Sequence, residues 1–150
     1  MVTDDLFFRV LETTRDLNAL TMVHCENGWA IDVLVERALA AGNTDPTHHA
    51  YTRPEILEAE ATHRSVRLAE LAEADVFIVH VTCGLAADEI AKGKERGVHV
   101  YGETCLQYLT NTIEDLERPD FEGARYVCSP PLREVFNQEL LWSALDRGLL

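Results

Sequence analysis

Val76-Phe77-Ile78-Val79-His80-Val81 is a six-residue run with one polar member, and four of its residues are β-branched. A continuous apolar stretch of this length reads as a strand of a parallel sheet, covered on both faces. Its neighbours on either side carry the helical period. Upstream, Thr52-Arg53-Pro54-Glu55 reads as a capping box that opens a helix running to about residue 72. Downstream, residues 85–96 read as a helix that stops at Gly97, although Gly93 inside it is a poor helix former.

The alternation continues outward. Residues 4–17 place Leu6, Phe7, Val10, Leu11 and Leu17 on one helical stripe, with Asp4 and Asp5 in the first turn where the helix dipole favours them. A short apolar run, residues 19–23, follows and ends at His24. Residues 29–41 are helical, with Gly42 as the stop, and a polar loop leads from there to Thr52. Residues 98–103 read as a third strand, residues 125–128 as a short extended segment, and residues 135–147 as a last helix. Strands separated by helices define an α/β fold with a parallel sheet. Three strands, or four with the 125–128 segment, are too few for a closed eight-unit barrel. The expectation is a part of a larger fold.

Two histidines hold matching places. His24 closes T-M-V-H and His80 closes V-F-I-V-H, each at the carboxyl end of a predicted strand. That edge is where ligands and metals bind in α/β folds, and neutral imidazole is the commonest metal ligand. The pattern is equally compatible with two buried histidines bonded to backbone. Glu103 ends the third strand and fits a supporting carboxylate, a catalytic acid or a structural acceptor. Glu26 and Asn27 fit the cap of the following helix. Cys128-Ser129-Pro130-Pro131-Leu132-Arg133 fixes its own backbone through two prolines. It fits a rigid connector, or a ligand loop. No G-x-S-x-G surrounds Ser129, so it is not a good hydrolase nucleophile. His48, His49, His63 and His99 are read as structural or solvent-facing.

Thirteen Lys and Arg against 26 Asp and Glu give a net charge of −13 over 150 residues. Such a surface disfavours nucleic acid and anionic membrane. No apolar run approaches the ~20 residues that span a bilayer. The acidic start, MVTDDLFFRV, is unlike a basic signal peptide. None of the four cysteines forms a C-x-x-C pair. Free thiols in a reducing cytoplasm are the expectation.

Six motifs then carry a resemblance: V-H-C-E-N-G (23–28), H-A-Y-T-R-P (49–54), E-A-E-A-T-x-R (58–64), I-V-H-V-T-C (78–83), Y-G-E-T-C-x-Q-Y-L (101–109) and Y-V-C-S-P-P-L-R (126–133). In this order they resemble the central portion of the dihydropyrimidinase/D-hydantoinase family, cyclic-amide hydrolases of the amidohydrolase superfamily. Leu106 departs from the family's usual Pro. The resemblance implies a partial TIM-like (β/α)8 barrel of three to four β/α units. It implies a site with two metal ions, usually Zn2+, bridged in the intact family by a carbamylated lysine and a hydroxide. His24 and His80 match the two histidines of the second metal. Ser129 matches the serine whose backbone holds the substrate ring amide. No catalytic residue is carried over onto this chain. The family's H-x-H pair, bridging lysine, general-base aspartate and β-sandwich domain have no counterpart here. The resemblance thus implies a small cyclic amide or ureide as substrate, a homotetramer for the intact family, and an inactive, association-prone chain if the segment stands alone. Allantoinase or dihydroorotase activity and a non-catalytic scaffold are the alternatives.

Overall fold

A computed structural model describes residues 2–150. The element order is α1 (Asp4–Asp16), β1 (Thr21–Val23), α2 (Gly28–Ala40), α3 (Thr47–Tyr51), α4 (Glu55–Ala72), β2 (Val76–Ile78), α5 (Gly84–Glu95), β3 (Val100–Gly102), α6 (Leu106–Thr110) and α7 (Phe136–Asp146), with 3-10 turns at Ile113–Glu117 and Glu122–Tyr126. The three strands form one parallel sheet in the order β1-β2-β3. Each crossover runs through helices, as parallel pairing requires. The fold is therefore α/β, as the alternation predicts.

The register aligns Thr21 with Val76 and Val100, Met22 with Phe77 and Tyr101, and Val23 with Ile78 and Gly102. Side chains alternate across a strand. Val76, Ile78 and Val100 enter one core with Val66, Ala69 and Ala72 of α4 and Ala86, Ala87 and Ile90 of α5. The opposite face carries Met22, 64% exposed, and Tyr101, 48% exposed. Among the described residues the sheet is thus covered on one face, not on both as the apolar run of β2 suggests.

Two details of the helices also differ from expectation. Thr52 does not cap α4. Its hydroxyl bonds back to the carbonyls of His48 and His49, closing the short α3 inside what reads as a polar loop. Pro54 stands before α4 without a capping side chain, and Glu55 and Glu58 face the first-turn dipole. The 125–128 segment is not a strand, because residues through Tyr126 wind into the second 3-10 turn. Gly93, by contrast, is explained. A Cβ there would lie 2.6 Å from Val66 Cγ1 and 3.1 Å from Val100 Cγ1. Glycine is the residue that lets α5 pack this closely on α4 and β3. No described helix is long and apolar enough to cross a membrane.

Candidate metal and ring-binding site

His24 follows β1 directly, in phase with Met22. In a regular strand His80 would be in phase with Val76 and Ile78, and the two rings would point to opposite faces. They do not. His80 has φ +43°, in the left-handed region. That break in the alternation brings the imidazoles edge to face, with centroids 4.8 Å apart. His24 Nδ1 lies 3.0 Å from His80 Nε2.

The far nitrogen of His24 is also engaged. Nε2 lies 2.8 Å from Glu26 Oε2, a carboxylate only 8% exposed. A carboxylate accepts, so Nε2 carries the hydrogen and the Nδ1 lone pair faces His80. A metal-ligating histidine is oriented in this way. Burial, with the neighbouring His24, lowers the His80 pKa and keeps that imidazole neutral. His80 Nδ1 is buried with no hydrogen-bond partner among the described residues. The two facing nitrogens, His24 Nδ1 and His80 Nε2, stand 3.0 Å apart, a spacing that fits two ligands of one divalent ion. They are an incomplete set, since the described residues hold no group of three or more His, Cys, Asp or Glu able to bind a metal. Asn27 caps α2 as expected, accepting from Ala30 N–H at 3.2 Å. Glu26 does not cap; it serves His24.

Ser129 sits in a loop whose carbonyls are held one by one. His49 Nε2 donates to the Cys128 carbonyl at 2.8 Å. The Tyr108 hydroxyl donates to the Pro130 carbonyl at 2.8 Å, and Ile113 N–H to the Arg133 carbonyl at 3.0 Å. The Ser129 hydroxyl is 3.3 Å from His49 Nε2. The Ser129 N–H and C=O make no hydrogen bond with the described residues. The loop is therefore rigid around one exposed residue, Ser129, whose backbone donor and acceptor, on successive peptides, are both to spare.

A buried ion pair ties this loop to the histidine edge. Arg133, 8% exposed, bonds Glu58 Oε2 at 2.7 Å and Thr82 Oγ1 at 2.8 Å, and it also donates to the Arg53 carbonyl. Glu58, 3% exposed, accepts from Thr82 N–H at 2.8 Å and from the Thr82 hydroxyl. Thr82 is two residues past His80, and Arg133 four past Ser129. One carboxylate thus fastens the β2 loop and the S-P-P-L-R loop to α4. Sequence reading did not find this node. Its signal was the pairing of an acidic residue on an otherwise small-residue helix face with an arginine behind two prolines.

The other polar residues are peripheral. Glu103 is exposed; its backbone extends the β2–β3 pairing through Val81 and Ile78, and its side chain forms no hydrogen bond or ion pair among the described residues. His48, His63 and His99 pair with Asp45, Glu89 and Asp75. All four cysteines are free. Burial pushes the Cys25 thiol up to about 12 and raises the other three, so none is a ready nucleophile.

Fold and site together define a parallel α/β segment with a histidine pair and a rigid peptide loop joined to its carboxyl edge. No family model matches the chain. Individual proteins do. A D-hydantoinase of Geobacillus stearothermophilus is 51% identical over 147 residues, which is 98% of this chain and 31% of the relative. A dihydropyrimidinase of Arabidopsis thaliana is 42% identical over 151 aligned positions, 100% of this chain and 28% of the relative. The crystal structure of a dihydropyrimidinase from Brevibacillus agri superimposes with a TM-score of 0.99 at 54% identity, covering 100% of this chain and 32% of that one. The chain spans about a third of the length of the relatives it matches. In sequence and in fold it is similar throughout to a segment of the dihydropyrimidinases and D-hydantoinases.

Proposed function

We propose that this chain is the central segment of a metal-dependent cyclic amidase. The reaction is hydrolysis of the ring amide of a dihydropyrimidine or 5-substituted hydantoin to an N-carbamoyl amino acid. The observation that carries the reading is the likeness, along 98–100% of this chain and about a third of each relative, to a D-hydantoinase at 51% identity and a dihydropyrimidinase at a TM-score of 0.99. The paired histidines and the exposed Ser129 peptide support it.

On this reading the segment is part of a TIM-like barrel, and the uncovered sheet face with Met22 and Tyr101 belongs to the barrel interior. His24 and His80 would hold one ion of a dinuclear, zinc-type pair. When bound, that ion supplies Lewis acidity and acidifies water. Glu26 orients His24. The Ser129 N–H and C=O meet the complementary groups of a ring amide, and the node at Glu58 and Arg133 keeps that peptide in place relative to the histidines. The remaining ligands and the general base come from outside this segment, so the 150 residues alone carry out no turnover. A homo-oligomeric, cytoplasmic enzyme is the corresponding expectation for the intact protein.

The test is the polypeptide that carries this segment in full, assayed for ring opening of hydantoin and dihydrouracil before and after chelation and metal restoration. Metal-dependent release of the carbamoyl amino acid is expected. A metal-loaded protein that opens neither ring overturns the reading, and turnover of allantoin or dihydroorotate alone would move it to a sister amidohydrolase.

A further inference from the structure

The Cys128–Ser129 peptide lies in the proposed ring-binding loop, and one side chain, His49, bonds its carbonyl. A peptide unit is planar, so the Cys128 carbonyl and the Ser129 N–H point in opposite directions. The carbonyl accepts from His49 Nε2 at 2.8 Å. The N–H has no partner among the described residues and lies on an exposed residue. Whatever fixes the carbonyl therefore fixes where the N–H points. A hydrogen bond accepted at the carbonyl also polarises the unit and strengthens its N–H as a donor.

The rest of the neighbourhood is secured without the His49 ring. α3 is held through Thr47 Oγ1 to the Leu116 carbonyl and through Thr52 to its own last turn. Pro130 is held by Tyr108, and Arg133 by Glu58. The imidazole thus meets the Cys128 carbonyl and, at 3.3 Å, the Ser129 hydroxyl, and its shorter bond sets one peptide plane.

We propose that His49 is a positioning residue of the ring-binding loop, whose Nε2–H sets the direction in which the Ser129 N–H donates to a ring carbonyl oxygen. The part concerning the ring rests on the functional reading above; the part concerning the peptide does not. Burial, reinforced by the Arg53 charge, keeps His49 neutral, and its one ring hydrogen is then committed to Nε2 by the Cys128 carbonyl.

Cys128-Ser129 is the only Cys-Ser step in the sequence. Carbonyl-13C cysteine with 15N serine therefore yields one carbonyl-to-amide NMR cross-peak for this chain. His49→Phe removes the donor, and His49→Gln keeps one at a similar reach. The cross-peak is expected to move in H49F and to return most of the way in H49Q. Hydantoin in millimolar excess is expected to shift the wild-type peak. A folded H49F chain whose peak overlays the wild type overturns the proposal, as does a folded H49Q chain whose peak departs from the wild type as far as H49F. A peak that responds to His49 but not to hydantoin leaves His49 in place and removes Ser129 from the ring site. In the full-length enzyme the same proposal expects H49F to raise KM about tenfold with metal content unchanged, and H49Q to recover most of that loss.

Discussion

His80 is held at φ +43°, where a non-glycine residue is strained by roughly 1–2 kcal/mol. The strain has a use, since it turns the ring toward His24. Asparagine tolerates this backbone better than histidine does. His80→Asn is therefore expected to keep or raise Tm, by about 2–4 °C if ~1 kcal/mol is recovered, while losing metal affinity. A Tm well below wild type would show that the ring is a packing element. Glu26→Gln is expected to weaken metal binding about 10- to 100-fold without unfolding, as loss of an outer carboxylate does at such sites; calorimetric titration with Zn2+ or Co2+ measures it. His49 gives a pH signature. Its pKa lies below the ordinary 6.5 in the folded chain, so the unfolded chain protonates first as the pH falls. The stability linked to this group is complete above about pH 6.5 and declines below it. Denaturant midpoints of His49→Gln are expected to fall less steeply than wild type between about pH 7 and pH 5. Equal slopes would remove His49 as a contributor. At this scale the places of His24 and His80 at strand ends marked them as candidate ligands, and the structure brings the two rings together. The sequence could not reveal the left-handed turn at His80, because histidine does not announce a positive φ as glycine does.

Between elements, one buried carboxylate joins α4 to the two loops that carry the site. Breaking a buried ion pair by removing one partner costs about 3–5 kcal/mol, since the other charge is left unpaired. Glu58→Gln and Arg133→Met are each expected to lower Tm on the order of 10 °C, measured by thermal melting. The double variant should lose less than the sum of the two. Additive losses would mean that the contact is not a coupled node. Gly93→Leu drives a side chain into Val66 and Val100 and is expected to cost about 1–3 kcal/mol. Helix and strand identity was legible here because the apolar periods are strong. α3 was missed because Thr52 resembles a cap and in fact bonds backward. The 3-10 turns were missed because short, tight turns carry no period.

For the molecule as a whole, the sheet has one clothed face and one bare one. The apolar character of β2 announces a strand covered on both sides, whereas among the described residues helices cover one face only. Composition and alternation made the α/β class legible, and the six motifs made the resemblance legible. Neither disclosed the node at Glu58, Thr82 and Arg133, which exists only once residues about 75 positions apart meet. Exposed Leu17, Met22 and Tyr101 predict that the chain alone associates, which sedimentation at increasing concentration would detect. On the proposed function, His24 and His80 form part of a metal centre. Histidine ring NMR during a Zn2+ titration at constant pH tests it most directly. The His24 and His80 resonances are expected to change together and first, His63 and His99 to stay in place, and His24→Ala to abolish the response of His80. Zn2+ that leaves both rings unmoved, or moves only the exposed histidines, would contradict it.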